Sequence, residues 1–169
     1  MENIQVIPSQ RVFPLGSKRR KNRILVIGLG NLLLRDDGVG VHAIRRLREA
    51  PHPRILLAEV GTAVLDSLHL LEWADKILAI DAMAAGGKPG TVYSFGVPDV
   101  ADRGLPTSLH ELGLLSALRF LPRQKGPAIQ ILGVEPESIE YGLELTPAVH
   151  QALPLVLRRA KEVVAGWRS

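Results

Sequence analysis

Residues Arg23 to Arg48, RILVIGLGNLLLRDDGVGVHAIRRLR, restrict the possible folds of this chain more than any other stretch. The stretch opens as a short apolar run from Arg23 to Leu29, with Gly28 and Gly30 at its end. That is the pattern of a strand buried in a parallel sheet. From Gly38 to Arg48 the spacing becomes helical, with Val39, Ala43, Ile44 and Leu47 on one side and Arg45, Arg46 and Arg48 mostly on the other. Two adjacent carboxylates, Asp36 and Asp37, lie between strand and helix. Ligands of open α/β sheets bind at this position, so the two acids are the first functional candidates. Spacing does not choose between them, and both also suit helix capping.

The alternation continues along the chain. Ile55 to Val60 is a second apolar strand, Val64 to Trp73 resumes helical spacing, and Lys76 to Ile80 is a third strand closed by Asp81. A βαβαβ order predicts a parallel sheet covered by helices on both faces. Thr91 to Phe95 follows a Gly- and Pro-containing loop that is too short for a crossover helix, so this fourth strand is expected to be antiparallel or an edge, and the sheet mixed. Val97 to Thr107 reads as a polar binding loop. Ser108 and Glu111 have capping-box spacing for a helix from about His110 to Leu121. Ala128 to Val134 is the fifth strand, and Glu135 to Leu145 is a polar loop. Thr146 and Pro147 then give a cap and a first-turn proline for a last helix running to about Ala165.

Charge separates the chain into two parts. The formal net charge is +4, but six of the 21 bases lie in the first 23 residues beside one acid, leaving 15 bases and 16 acids from Ile24 onward. Residues 1–22 therefore read as a basic, flexible leader and residues 23–169 as one α/β domain, with no nucleic-acid partner indicated. The leader lacks the apolar core of a secretory signal, and no run of residues is apolar and long enough to insert in a membrane. The absence of cysteine excludes disulfides and a thiol nucleophile and suits a cytoplasmic location.

Gly28-Leu29-Gly30 begins like a dinucleotide fingerprint, yet Leu33 occupies the third glycine position and the loop beyond is acidic where a pyrophosphate needs a helix N-terminus. No organic cofactor is expected. Asp37 and Asp81 follow parallel strands, whose carboxyl ends share one edge of the sheet, and His110 opens a helix that can reach the same edge. Two carboxylates and an imidazole suit a divalent first-row metal. Each also has an ordinary reading as a cap, a turn acid or a packing histidine. Neither GxSxG nor HExxH occurs, which disfavours a serine triad and a self-contained zinc peptidase. Gly61, Thr62 and Glu135 follow other strands and are candidates for lining a substrate cleft, with helix capping by Thr62 and a structural loop role for Glu135 as the alternatives.

With these residues in view, the chain resembles the hydrogenase maturation endopeptidases. The resemblance rests on ILVIGLGNLLLRDDGVGV, Gly61-Thr62, ILAIDAM, SLHELGLLSALRF and ILGVEPESIEYGLELTPAV, in that order from Ile24 to about Val164. It implies a single-domain three-layer α/β/α sandwich with a mixed, mainly parallel five-stranded sheet. It also implies an endopeptidase that removes a C-terminal extension from the nickel-loaded precursor of a hydrogenase large subunit. The nickel would be presented by the substrate and met by Asp37, Asp81 and His110, with Asp37 or Asp81 also the candidate general base. The first of these positions is often glutamate in the family, and Asp37 is one methylene shorter. A monomer is expected. The competing readings are a non-proteolytic metal- or peptide-binding protein of this fold, or a hydrolase acting on another peptide.

Overall fold

Five apolar runs pair into one sheet of order β2-β1-β3-β5-β4. They are β1 (Ile24–Leu29), β2 (Ile55–Gly61), β3 (Lys76–Ala82), β4 (Val92–Gly96) and β5 (Ala128–Val134). Pairings β1–β2, β1–β3 and β3–β5 are parallel. The fourth strand is both antiparallel to β5 and at the edge, as its short connection requires. The computed structural model describes residues 22–49, 55–96, 113–114, 116–117 and 126–168, so residues 1–21 of the basic leader and the loop Val97 to Thr107 lie outside the described residues.

Strand periodicity divides the core into two halves. Ile24, Val26, Leu78, Ile80, Ala82, Leu132 and Val134 face one side of the sheet, where they pack with Val39, Ala43 and Ile44 of α1 (Val39–Arg48) and Val149, Leu153 and Val156 of the last helix. Leu25, Ile27, Leu29, Ile77, Ala79 and Ile131 face the other side and pack with Leu71 of α2 (Leu68–Trp73) and with Leu114 and Ala117. β1 is buried along its whole length, which is why it carries no polar alternation. The result is the α/β/α arrangement expected from the alternation, with a mixed, mainly parallel sheet at its centre.

Two local features differ from the sequence reading, and a third is described only in part. The helix expected over Val64 to Trp73 begins as a 3-10 turn, Leu65–Ser67, before α2, and the Ser67 hydroxyl donates back to the Ala63 carbonyl in place of a side-chain cap. The last helix, α3 (Pro147–Gly166), has Thr146 at its N-cap and proline in its first turn, but the Thr146 hydroxyl donates to Asp36 and not to its own helix. Of the helix expected from His110 to Leu121, residues 113–114 and 116–117 are helical; His110, Ser108 and Glu111 lie outside the described residues.

α1 approaches the sheet to backbone contact. A Cβ at Gly40 would lie 2.1 Å from the Ile80 carbonyl oxygen and 2.5 Å from that of Leu29, and one at Gly28 would lie 2.2 Å from the Gly40 oxygen. These glycines thus serve helix–sheet packing, which sets the start of α1 directly over the carboxyl ends of β1 and β3.

Candidate functional site

Parallel pairing places the ends of β1, β2, β3 and β5 along one rim, so the segments that follow them share that edge of the molecule. Asp37 belongs to a 3-10 turn, Arg35–Gly38, that joins β1 to α1. The turn packs against β3. Asp37 is half-buried, and its Oδ2 accepts the Asn31 N–H at 2.7 Å. Gly30, at φ +108°, makes that geometry possible, because a Cβ there would lie 1.7 Å from the Asp37 carbonyl oxygen. Arg35, at φ 44°, holds the left-handed conformation in the same turn without being glycine, a local strain of the kind that accompanies functional loops.

Asp36 and Asp37 are adjacent in sequence and have different environments. Asp36 is fully buried. Its Oδ2 accepts the N–H groups of Glu137 at 2.9 Å and Ser138 at 3.0 Å and the hydroxyl of Thr146 at 2.8 Å, while its Oδ1 accepts the Thr146 N–H at 2.7 Å. Four donors from one distant loop make Asp36 a clamp, and neither acid is a side-chain cap of the turn or of α1. Hydrogen bonding distinguishes the two acids that spacing left equal: Asp36 is held by four donors of the loop after β5, and Asp37 is half-buried in the turn after β1.

Asp81 occupies the penultimate position of β3, opposite Gly133 of β5, and is completely buried. It is thus not the solvated turn acid of the ordinary reading. Its Oδ1 accepts the N–H of Ala82 at 2.9 Å. By strand alternation it shares the sheet face of Ile77 and Ala79, the face on which Leu114 and Ala117 pack.

The cleft candidates separate as well. Gly61 ends β2 at φ +59°, and its carbonyl accepts the Gly30 N–H at 3.2 Å, which ties the β1 and β2 connections together. Thr62 is exposed and does not cap, since Val64 holds the N-cap position of the following turn. Glu135 is buried; it accepts the N–H groups of Ala85 at 2.9 Å and Gly86 at 3.1 Å and the Tyr93 hydroxyl at 2.8 Å. Burial raises the Glu135 pKa, but the hydrogen bonds from Ala85, Tyr93, Gly87 and Gly86 outweigh it, so the carboxyl sits below its ordinary value. Burial and the same carboxylate push the Tyr93 hydroxyl upward. Glu135 thereby fixes the glycine-rich loop after β3. No sequence signal pairs Tyr93 with Glu135.

Among the described residues no group of three or more histidines and acids is arranged to hold a metal ion, and His110 lies outside them. A cavity of about 700 Å³ opens between α1 and α3, lined by His42, Arg45, Leu143, Pro147 and His150 among others and by neither Asp37 nor Asp81. The His42 Nε2 is buried without a partner; burial, then Arg45 and Arg46, lowers its pKa. No helix among the described residues is long and apolar enough to cross a membrane.

This mixed sheet between helices is the fold of solved maturation endopeptidases. The chain superposes on the hydrogenase maturating endopeptidase HybD of Escherichia coli with a TM-score of 0.77 and 29% identity, covering 85% of this chain and 93% of that one. A [NiFe] hydrogenase maturation protease HybD from Thermococcus kodakarensis gives a TM-score of 0.74 at 28% identity, covering 84% and 99%. In sequence, the hydrogenase 2 maturation protease of Escherichia coli K12 is 33% identical over 166 residues, 87% of this chain and 92% of the relative. The HupD hydrogenase expression/formation protein of Bradyrhizobium diazoefficiens is 32% identical over 159 residues, 86% of this chain and 80% of the relative. Residues 41–163 match the hydrogenase maturation protease family (HycI). The chain belongs to that family, and so to the proteases.

Proposed function

We propose that this protein is the endopeptidase that removes a C-terminal extension from the nickel-loaded precursor of a hydrogenase large subunit. Asp37, Asp81 and His110 would receive the nickel centre that the substrate presents. The observation that carries the reading is family membership combined with two carboxylates at the carboxyl ends of neighbouring parallel strands, Asp37 in the turn after β1 and Asp81 as the penultimate residue of β3. His110 is three residues upstream of Gly113, and the helical residues after it pack on the face that carries Asp81.

Amide hydrolysis needs an activated water on one side of the carbonyl and stabilised negative charge on the other. The substrate's nickel, docked on carboxylate and imidazole, aligns the scissile peptide and can polarise its carbonyl. Asp37 is the better-placed general base, because it is half-buried in the turn after β1, whereas Asp81 is fully buried near the end of β3. Incubation of the protein with purified precursor, with and without nickel, followed by intact-mass measurement, tests this. Release of a C-terminal peptide only from the nickel-loaded form is expected; equal cleavage of the nickel-free form would overturn the nickel requirement, and no cleavage of either would overturn the activity.

A further inference from the structure

Large apolar side chains left in water are not scattered over this molecule. Of the six exposed ones among the described residues, five follow the carboxyl ends of strands: Leu33 at 46% exposure, Leu65 at 60%, Ile139 at 59%, Tyr141 at 77% and Leu143 at 65%. Only Leu56, on edge strand β2, lies elsewhere. Four of the five are brought together by backbone pairing. The Gly142 N–H donates to the Leu33 carbonyl at 2.9 Å and the Arg35 N–H to the Gly142 carbonyl at 2.9 Å, so Tyr141 and Leu143 flank a bridge to the segment carrying Leu33. Ile139 follows Ser138, whose N–H is bound by Asp36.

Two further properties set this patch apart from incidental exposure. First, it is rigid: the four donors on Asp36, the two bonds to Gly142 and a bond from the Asp36 N–H to the Ser138 carbonyl hold the loop 137–146 along its length. A displayed apolar loop held this way loses little conformational entropy when covered. Second, it is acidic. Glu137, Glu140 and Glu144 are exposed between the apolar residues and enter no ion pair among the described residues. No lysine or arginine occurs from residue 126 to 157; Arg35, folded over Gly142, is the one base in the facing segment 31–37, and Arg45 and Arg46 of α1 line the cavity beside Leu143 and Glu144, at one end of the patch.

We infer that Leu33, Ile139, Tyr141 and Leu143, with Glu137, Glu140 and Glu144 around them, form a docking surface for the folded body of the precursor. The matching face is an apolar spot ringed by lysine and arginine. The inference rests on the proposed function for the partner's identity, and its own content is that recognition extends beyond the metal-bearing site to this loop. An apolar centre supplies affinity and a charged rim supplies steering and salt dependence.

The test uses the full-length protein, nickel-loaded precursor and two double variants, Tyr141→Ser/Leu143→Ser and Glu140→Lys/Glu144→Lys. All four side chains are exposed, so unchanged melting curves are the control for folding. Each pair should raise the KM for cleavage about tenfold at low salt with kcat unchanged. The charge-pair defect should fade at high salt while the apolar defect persists. Unchanged KM in both variants, or a fall in kcat alone, overturns the proposal. So does light scattering that shows the wild type to be a dimer dissociated by the same substitutions. If the wild type leaves the precursor uncut, the proposed activity fails, and binding of immobilised precursor decides the docking question: loss in both variants sustains the surface, and binding equal to wild type, or none by the wild type, overturns it.

Discussion

Replacing Asp36 by asparagine should damage the fold without touching the reacting groups. In the native protein four donors converge on its two oxygens. Asparagine keeps the size and one acceptor. Turned to preserve the three bonds at Oδ2, it aims an amide N–H₂ at the Thr146 N–H, so that donor loses its partner inside a fully buried site. An unsatisfied buried donor costs about 1–3 kcal/mol, and the three surviving bonds fall from charge-assisted to neutral, so the total is about 3–4 kcal/mol. For a chain of this size that lowers Tm by roughly 6–16 °C. Asp37→Asn is the control, since one oxygen can still accept the Asn31 N–H; it should cost less than about 1 kcal/mol. Thermal unfolding of the two variants side by side measures the difference. A Tm for Asp36→Asn within about 2 °C of wild type would refute the clamp, because on the scaling used here it corresponds to under about 1 kcal/mol.

Further outcomes follow from the same geometry. Asp37→Asn and Asp81→Asn should each lower kcat for release of the C-terminal peptide by about 10²–10⁴-fold, read by intact mass; normal rates in both would remove these residues from the site. Glu135→Gln should lower stability near neutral pH. The native carboxyl titrates below its ordinary 4.5, so its stabilisation is present above the unfolded pKa and is lost as pH falls through the folded one. Urea titrations should therefore show the wild-type advantage shrinking below about pH 4.5, and an advantage that grows there contradicts the assignment. His42 has the opposite charge logic: its folded pKa lies below 6.5 because of burial and of Arg45, Arg46 and His150, opposed by Glu59. The unfolded chain takes up that proton first, so wild-type stability falls as pH drops below 6.5 and levels off below the folded pKa. His42→Leu should flatten that part of the curve, and an unchanged slope would mean another group is responsible. Gly40→Ala should cost more than about 3 kcal/mol in equilibrium unfolding, since its Cβ meets backbone at 2.1 Å and neither α1 nor β3 can retreat without opening the core; a loss under about 1 kcal/mol would show that the seam gives way.

The elements legible in the sequence were those whose burial is local. The continuous apolar run of β1, the βαβαβ alternation and the short link before β4 were enough to expect a mixed sheet with its fourth strand antiparallel or at an edge, and β4 is both. Less legible was everything settled by contacts between distant segments. Glycines 28 and 30 were legible only as the end of the first apolar run and half of a glycine fingerprint, and the space they leave is filled by the backbone of α1 and of Asp37. Thr146 was legible as a cap by position, while its hydroxyl is taken by a carboxylate 110 residues away. Glu135 was placed on the rim by its position after β5, but only the fold brings Ala85, Gly86 and Tyr93 to its oxygens.

The pair Asp36-Asp37 shows why such a site cannot be apportioned from one stretch of chain. In a 3-10 turn successive side chains point about 120° apart, so two adjacent acids cannot share a direction. Whichever carboxylate the loop 137–146 captures becomes structural, and the other is left to the rim. The capture is decided by the N–H groups of Glu137, Ser138 and Thr146, more than a hundred residues downstream, together with the positive φ of Arg35 that turns the backbone toward them. The same capture orders the apolar and acidic side chains of that loop. Folding of the clamp and presentation of the proposed docking surface are therefore one event, so Asp36→Asn, assayed below its own melting temperature, should raise KM for the folded precursor more than it lowers kcat. A selective fall in kcat would mean that the clamp serves Asp37 alone and that the loop's surface plays no part in recognition.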